Sequence, residues 1–270
     1  MAIKLGFIGA GNMASAIIGG VVASKKFLGA NIYVSNKSAG KVEKLAEKFG
    51  IQPASNKTVA ETADVIFLCV KPNTYDAVIA EVKSVTTANK IVVAIAAGKT
   101  VQYLEAAFGG ANAPKIVRAM PNTPSLVKQG MTAICPAQNV PQKDANLVLD
   151  IFAAIGQAEF LPEALFDAFT GVAGSSPAYA FMFVEAMADA GVAHGLPRDA
   201  AMRFSAQALL GAAQMVLSTG NHPGALKDGV CSPGGATIAA VAKLEEQGFR
   251  NAIIQGVNAC VEKSIKMQGE

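Results

Sequence analysis

The sequence predicts an α/β fold in two parts: a doubly wound parallel sheet in residues 1–162, then an all-α domain in 163–270. Three observations carry this. A glycine-rich turn stands between a short apolar run and a small-residue helix at the start of the chain. Continuous apolar runs then alternate with helical stretches as far as about residue 160. From Pro162 onward the strand signals stop. The length of 270 residues agrees, at roughly 150 residues per domain.

The first element decides a wider question. Hydrophobic residues make up 51% of the chain and charged residues only 16%, and mean hydropathy is +0.35. That composition fits a membrane protein, a secreted protein with its signal attached, or a protein with unusually buried elements. Leu5–Ser24 carries no charge and has about the length of a spanning helix. Gly6, Gly9, Gly11, Gly19, Gly20, Asn12 and Ser15 interrupt it, which excludes a continuous apolar signal region. The same glycines suit a strand over 3–8, a turn Gly9-Ala10-Gly11-Asn12-Met13-Ala14 of the form G-x-G-x-x-A, and a buried helix over 13–23. Gly9 permits the tight turn, Gly11 lets a pyrophosphate approach the main chain, and Ala14 lets helix and strand pack closely. The first free N–H groups of the helix face the phosphates. This is the signature of a Rossmann-type dinucleotide-binding domain.

Asn31–Ser35 reads as the second strand. A site for NAD usually has an acidic residue at its end, to hold the ribose 2′-hydroxyl. Here the chain continues Ser35-Asn36-Lys37, with no acidic residue before Glu43. Two hydrogen-bonding side chains and a cation suit a 2′-phosphate, and they also suit an ordinary polar loop. The expected cofactor is NADPH, with NADH the alternative. Gly40–Gly50 reads as an amphipathic helix closed by a glycine. Val65–Val70, Ile91–Ile95 and Lys115–Met120 are apolar runs of the kind expected in strands covered on both faces. Ligands of such sheets bind outside the carboxyl ends of the strands, so the loops at Lys71, Ala96–Gly98 and Met120–Asn122 are expected to face one crevice. Thr132–Pro136 and Gln157–Leu161 are expected to add edge strands.

Beyond Pro162, a long helix is expected over Glu163–His194, with a glycine- and serine-containing stretch at Gly171–Pro177. Further helices are expected over Pro197–Thr219 and Pro233–Met267, with breaks at Gly220–Gly224 and Gln247-Gly248. Ala178–Val184 (AYAFMFV) is apolar nearly all round, so it must be buried inside the domain or against a partner subunit.

Composition excludes several chemistries. Lys+Arg 23 against Asp+Glu 20 gives +3 with no dense basic run, and there is no Trp, so nucleic acid is not an expected partner. The four cysteines form no CxxC and there are two histidines, so no metal site is expected. The widely spaced cysteines read as reduced thiols of a cytoplasmic protein. His194 lies at a helix end and His222 in a turn before Pro223. Neither suits the base that alcohol-oxidising dehydrogenases need. Gly171–Tyr179 also lacks the lysine that 3-hydroxyacid dehydrogenases of this layout carry there. That leaves such a dehydrogenase, or a non-catalytic NADP-binding regulator, as competing readings.

The segment Lys227–Thr237 (KDGVCSPGGAT) places a proline and two glycines before a helix. It reads equally as a cradle for a substrate carboxylate or as the start of a helix capped by Ser232. The wider pattern bears on that choice. DGVCSPGGATIAAVAKLE, together with GFIGAGNMASAI, FLCVKPN, RAMPNTP, GSSPAYAF and GLPRDAA in order, resembles the pyrroline-5-carboxylate reductase family over nearly the whole chain.

That resemblance implies hydride transfer from NADPH to the imine carbon of 1-pyrroline-5-carboxylate, giving L-proline in the last step of proline biosynthesis. An iminium accepts hydride without a strong base, which accords with the missing His or Lys. By the same resemblance, Ser232, Gly234, Gly235, Ala236 and Thr237 bind the substrate, and Thr237 is catalytic through a hydrogen bond to the ring nitrogen. The implied cofactor contacts are Ile8, Gly9, Ala10, Gly11, Asn12 and Met13, then Ser35, Asn36, Lys37 and Asn56. Cys69, Val70, Lys71 and Pro72 follow, with Ile95, Ala96 and Ala97. The helical domain is implied to bind substrate and to form a domain-swapped homodimer, five of which assemble into a decamer. One departure is visible: Thr219-Gly220-Asn221 stands where some relatives carry an acidic residue before the His-Pro turn.

Overall fold

The computed structural model describes residues 2–109 and 113–267. Eight strands form one sheet: β1 (Leu5–Ile8), β2 (Ile32–Ser35), β3 (Gln52–Pro53), β4 (Val65–Leu68), β5 (Ile91–Ala94), β6 (Lys115–Pro121), β7 (Gly130–Pro136) and β8 (Gly156–Phe160), in the order β3-β2-β1-β4-β5-β6-β7-β8. The first six run parallel, with Leu5 opposite both Ile32 and Val65, Val65 opposite Ile91, and Ile91 opposite Lys115. β7 turns back antiparallel to β6, and β8 follows β7 in parallel. Leu5–Ser24 is therefore a strand, a turn and the helix α1 (Asn12–Ala23). No helix among the described residues is long and apolar enough to cross a membrane.

Strand alternation sorts the side chains onto two faces. Leu5, Phe7, Val65, Phe67, Val93 and Val117 pack with Ile17, Ile18 and Val21 of α1 and with Phe152 of α6 (Gln142–Phe152). Phe7 and Phe67 stack at 4.7 Å. On the other face Ile8, Ile66, Leu68, Val92 and Ile116 meet three helices: α3 (Asn56–Thr62), α4 (Tyr75–Val82) and α5 (Val101–Phe108). The glycine at position 6 admits α3, since a Cβ there would stand 2.6 Å from Val59 and 2.7 Å from Ala63. The remaining helix of this half, α2 (Ala39–Phe49), ends on Gly50 in the left-handed conformation, as the glycine stop predicts.

Two sequence expectations are corrected here. Residues 132–136 do not form an edge strand. β7 lies between β6 and β8 and leaves only β8 at that edge, because the hairpin-like return after β6 places β7 beside it. Residues 163–194 are not one helix. A 3₁₀ turn (Glu163–Leu165), α7 (Phe166–Phe169) and a π-helical turn (Thr170–Gly174) precede α8 (Ser176–Ala193). Pro177 lacks an N–H, so it suits the first turn of a new helix rather than the interior of an old one.

The rest of the chain is α9 (Arg198–Thr219), α10 (Pro223–Val230), α11 (Ala236–Glu246) and α12 (Phe249–Met267). The helix α10 lies partly within what reads as a break at Gly220–Gly224. Pro223 opens it, and the His222 ring accepts the Gly224 N–H at 3.0 Å.

The chain divides into two compact units. One runs to Gly174 and takes the chain up again at Cys260; the other is Ser175–Ala259. Within the second, α8 and α9 approach closely at Gly191, where a Cβ would lie 3.2 Å from Leu196 and 3.3 Å from Ala201. Its apolar side chains stay largely uncovered in a single chain: Phe181 is 67% exposed, Met182 69% and Leu217 77%. Phe181 and Met182 of the apolar stretch 178–184 are thus not covered within the single chain.

Candidate active site

The parallel order brings the carboxyl ends of β1, β2, β4, β5 and β6 to one edge of the sheet. At the end of β1, Gly9 has φ +104°, and a Cβ there would stand 2.7 Å from the Cys69 carbonyl oxygen. Its N–H donates to Ser35 O at 2.8 Å. Gly11 is the cap residue of α1, and no side chain bonds to the first turn. A Cβ on Gly11 would meet nothing within 4 Å, so the missing side chain leaves open space before the uncapped N–H groups that follow. With no acidic residue in that first turn, the helix end suits an anion such as a pyrophosphate. Ala14 is fully buried against the sheet, the close packing expected from its size.

The polar residues after β2 are braced against their neighbours. Ser35 is buried, and its hydroxyl donates to Asn56 Oδ1 at 2.6 Å. Asn56 Nδ2 donates in turn to Glu81 Oε2 at 2.7 Å. Asn36 Oδ1 accepts the Ala10 N–H at 3.1 Å and its amide donates to Ser38 O, so this side chain holds the glycine turn. Lys37 is exposed. These residues line a cavity of about 430 Å³ with Ile8, Gly9, Val70 and Glu81, a size that suits the adenosine half of a dinucleotide.

Beyond β4, the Cys69 N–H donates to Ile8 O at 2.8 Å, and burial pushes the thiol far above the usual cysteine range, so it stays protonated. Lys71 is exposed and precedes the 3₁₀ turn Pro72–Thr74. Beyond β5, Ala96 is buried and Gly98 has φ +77°. Beyond β6, Asn122 Oδ1 accepts Met131 N–H and Nδ2 donates to Ala173 O, both at 2.9 Å. Asn122 thereby ties the strand end to the π-helical turn.

Sequence reasoning missed three residues that support this crevice. Tyr75 is fully buried on α4 and its hydroxyl donates to Leu68 O at 2.7 Å. Arg118, in the middle of β6, is 2% exposed and pairs with Glu163 Oε1 at 2.8 Å, with its guanidinium 4.5 Å from the Phe166 ring. The same Glu163 oxygen accepts the Val101 N–H at 2.8 Å. Arg118 left a signal, since a charge inside the run KIVRAMP demands a buried partner. Tyr75 left none.

In the second unit, Gly235 N–H donates to Ser232 O at 3.0 Å across Pro233-Gly234, and Gly234 has φ +69°. These are the marks of a type II turn. Gly235, not Ser232, is the cap residue of α11, and no side chain caps the helix. The first amides of α11 therefore remain for a ligand, with Thr237 half-buried beside them and Ser232 exposed. Of the two readings for this segment, the Ser232 cap does not form, and the carboxylate cradle is the one left.

A dinucleotide turn, a sheet in the 3-2-1-4-5-6 order and a following helical segment define a dinucleotide-dependent oxidoreductase. The family model described as "Pyrroline-5-carboxylate reductase dimerisation" matches residues 163–267, and that described as "NADP oxidoreductase coenzyme F420-dependent" matches 4–98. The pyrroline-5-carboxylate reductase of Escherichia coli is 51% identical over 265 residues, covering 98% of both chains. A pyrroline-5-carboxylate reductase structure from Coxiella burnetii superposes with a TM-score of 0.92 at 34% identity, covering 99% of each chain. The Plasmodium falciparum pyrroline carboxylate reductase, whose structure has NADP bound, gives 0.88 at 32% identity and 98% coverage of each. The chain belongs to the pyrroline-5-carboxylate reductase family.

Proposed function

We propose that the chain reduces 1-pyrroline-5-carboxylate to L-proline with NADPH, and that the residues assigned from the sequence carry the reaction. The full-length relatives support the activity; the uncapped turn Ser232–Thr237 carries the reading of the site. NADPH supplies the hydride. The chain's part is to bind and align. The amides following Gly11 hold the pyrophosphate, and Lys37 offers its charge to the 2′-phosphate. Cys69–Pro72 and Ile95–Ala97 flank the nicotinamide end. The amides of Gly235 and Ala236 hold the substrate carboxylate, while the Thr237 hydroxyl orients the ring nitrogen so that the imine carbon faces the hydride.

In this reading residues 1–162 bind the cofactor, and 163–270 bind substrate and dimerise. The enzyme is a cytoplasmic homodimer, with a decamer of five dimers as its larger assembly. Exposed Phe181, Met182 and Leu217 support the dimer. The test is NADPH oxidation by the purified chain with 1-pyrroline-5-carboxylate, beside NADP reduction with 3-hydroxy acids. Turnover with the imine alone is expected; turnover with a hydroxy acid alone overturns the proposal.

A further inference from the structure

We infer that Tyr75 is a positioning residue for hydride transfer, setting the width of the crevice between the ends of β4 and β5. The inference rests on the reading of that crevice as the nicotinamide site. The β4–β5 ladder ends at the pair Leu68 and Ala94. The next rung of a parallel ladder would run from the Ile95 N–H to Leu68 O, but that carbonyl accepts the Tyr75 hydroxyl instead, so the two strands part at this level. The Tyr75 hydroxyl stands in the gap. It donates to Leu68 O at 2.7 Å, and the nearby Ala96 and Ile95 amides favour its ionised form. Burial of the ring, with the Cys69 thiol nearby, drives the phenol far above its ordinary range despite those amides, so the hydroxyl remains a donor.

The phenol thus replaces the next rung of the ladder. It satisfies a carbonyl of one strand and faces amides of the other while keeping them a side chain apart. The two segments that emerge are Cys69–Pro72 and Ile95–Ala97. Removing the hydroxyl takes away the donor to Leu68 O at a buried position, which is costly. The available remedy is for the strands to close by one rung, carrying both segments inward. Of the two segments, the adenosine cavity around Ser35–Lys37 and Asn56 touches only Val70, so dinucleotide affinity is expected to change less than nicotinamide alignment.

Tyr75→Phe tests this. NADPH affinity by fluorescence titration is expected within about threefold of wild type, with kcat per NADPH-binding site lowered about tenfold. The kinetic isotope effect with NADPH deuterated at the transferred position is expected to rise. In the wild-type chain, which needs no variant to fold, the Ala96 amide is expected to exchange with solvent deuterium far more slowly than that of Ala97. Unchanged kcat and isotope effect in Tyr75→Phe, or equally fast exchange at Ala96 and Ala97, overturns the inference. A wild-type chain that binds NADPH but reduces no pyrroline-5-carboxylate overturns the functional reading itself and the inference with it. An active wild type with an unimpaired Phe variant overturns the inference alone.

Discussion

Thr237 stands one residue inside the uncapped start of α11, where its half-buried hydroxyl lies beside amides that no side chain occupies. Thr237→Ala removes that hydroxyl without touching the cofactor turn. We expect kcat to fall about a hundredfold, the scale of losing a positioned proton-transfer or orienting group, with NADPH affinity little changed. Equal losses in both parameters would show that Thr237 acts through the fold. Lys37 is a different case among the residues after β2. The Ser35 and Asn36 side chains are spent on Asn56, Ala10 and Ser38, so in the proposed site the exposed ammonium is the group expected to discriminate NADPH from NADH. Lys37→Ala is expected to raise KM for NADPH about tenfold, the worth of one hydrogen bond to a charged group, and to leave KM for NADH unchanged. Steady-state kinetics with both cofactors decides it.

At the scale of elements, Arg118, Glu163 and Val101 join β6, the start of the helical segment and the first turn of α5. The two ends of the ion pair are not equivalent. Arg118 is 2% exposed and Glu163 30%, so each abandoned partner meets a different environment. Glu163→Ala leaves a buried cation and frees the Val101 amide, and is expected to cost about 3–5 kcal/mol. Arg118→Met leaves a carboxylate that water can reach and keeps its bond to Val101; about 1–2 kcal/mol is expected. Urea denaturation of both variants measures the difference, and equal losses would sink the argument from solvation. The elements themselves were legible to differing degrees. Strands β1, β4, β5 and β6 were readable within two residues because each is a mainly apolar run covered on both faces, with Arg118 the one charge inside β6. The π-helical turn at Thr170–Gly174 was not, since glycines in a helical stretch signal only a weak point and not the hydrogen-bond pattern adopted there.

For the whole molecule, the second unit has too few buried apolar side chains to be stable by itself. Phe181, Met182 and Leu217 face outward in the single chain, and helices without a polar face need a partner. The chain is expected to sediment as a dimer or a multiple of it, with a melting temperature that rises with protein concentration. A monomer with a concentration-independent Tm would contradict this. The same surface accounts for the high hydropathy that first suggested a membrane or an export signal.

The sequence alone determined the dinucleotide turn and the parallel sheet. Each depends on contiguous residues whose size, backbone freedom or missing charge has a local cause. Only the tertiary structure decided that Asn36 braces the glycine turn, that no side chain caps α11, that β7 is an interior strand, and that the Tyr75 hydroxyl donates to the end of β4. Those outcomes depend on hydrogen bonds between residues distant in the chain, such as Ala10 with Asn36 and Arg118 with Glu163. A local pattern can require a buried polar group to find a partner, but which partner it finds depends on how the chain brings remote segments together.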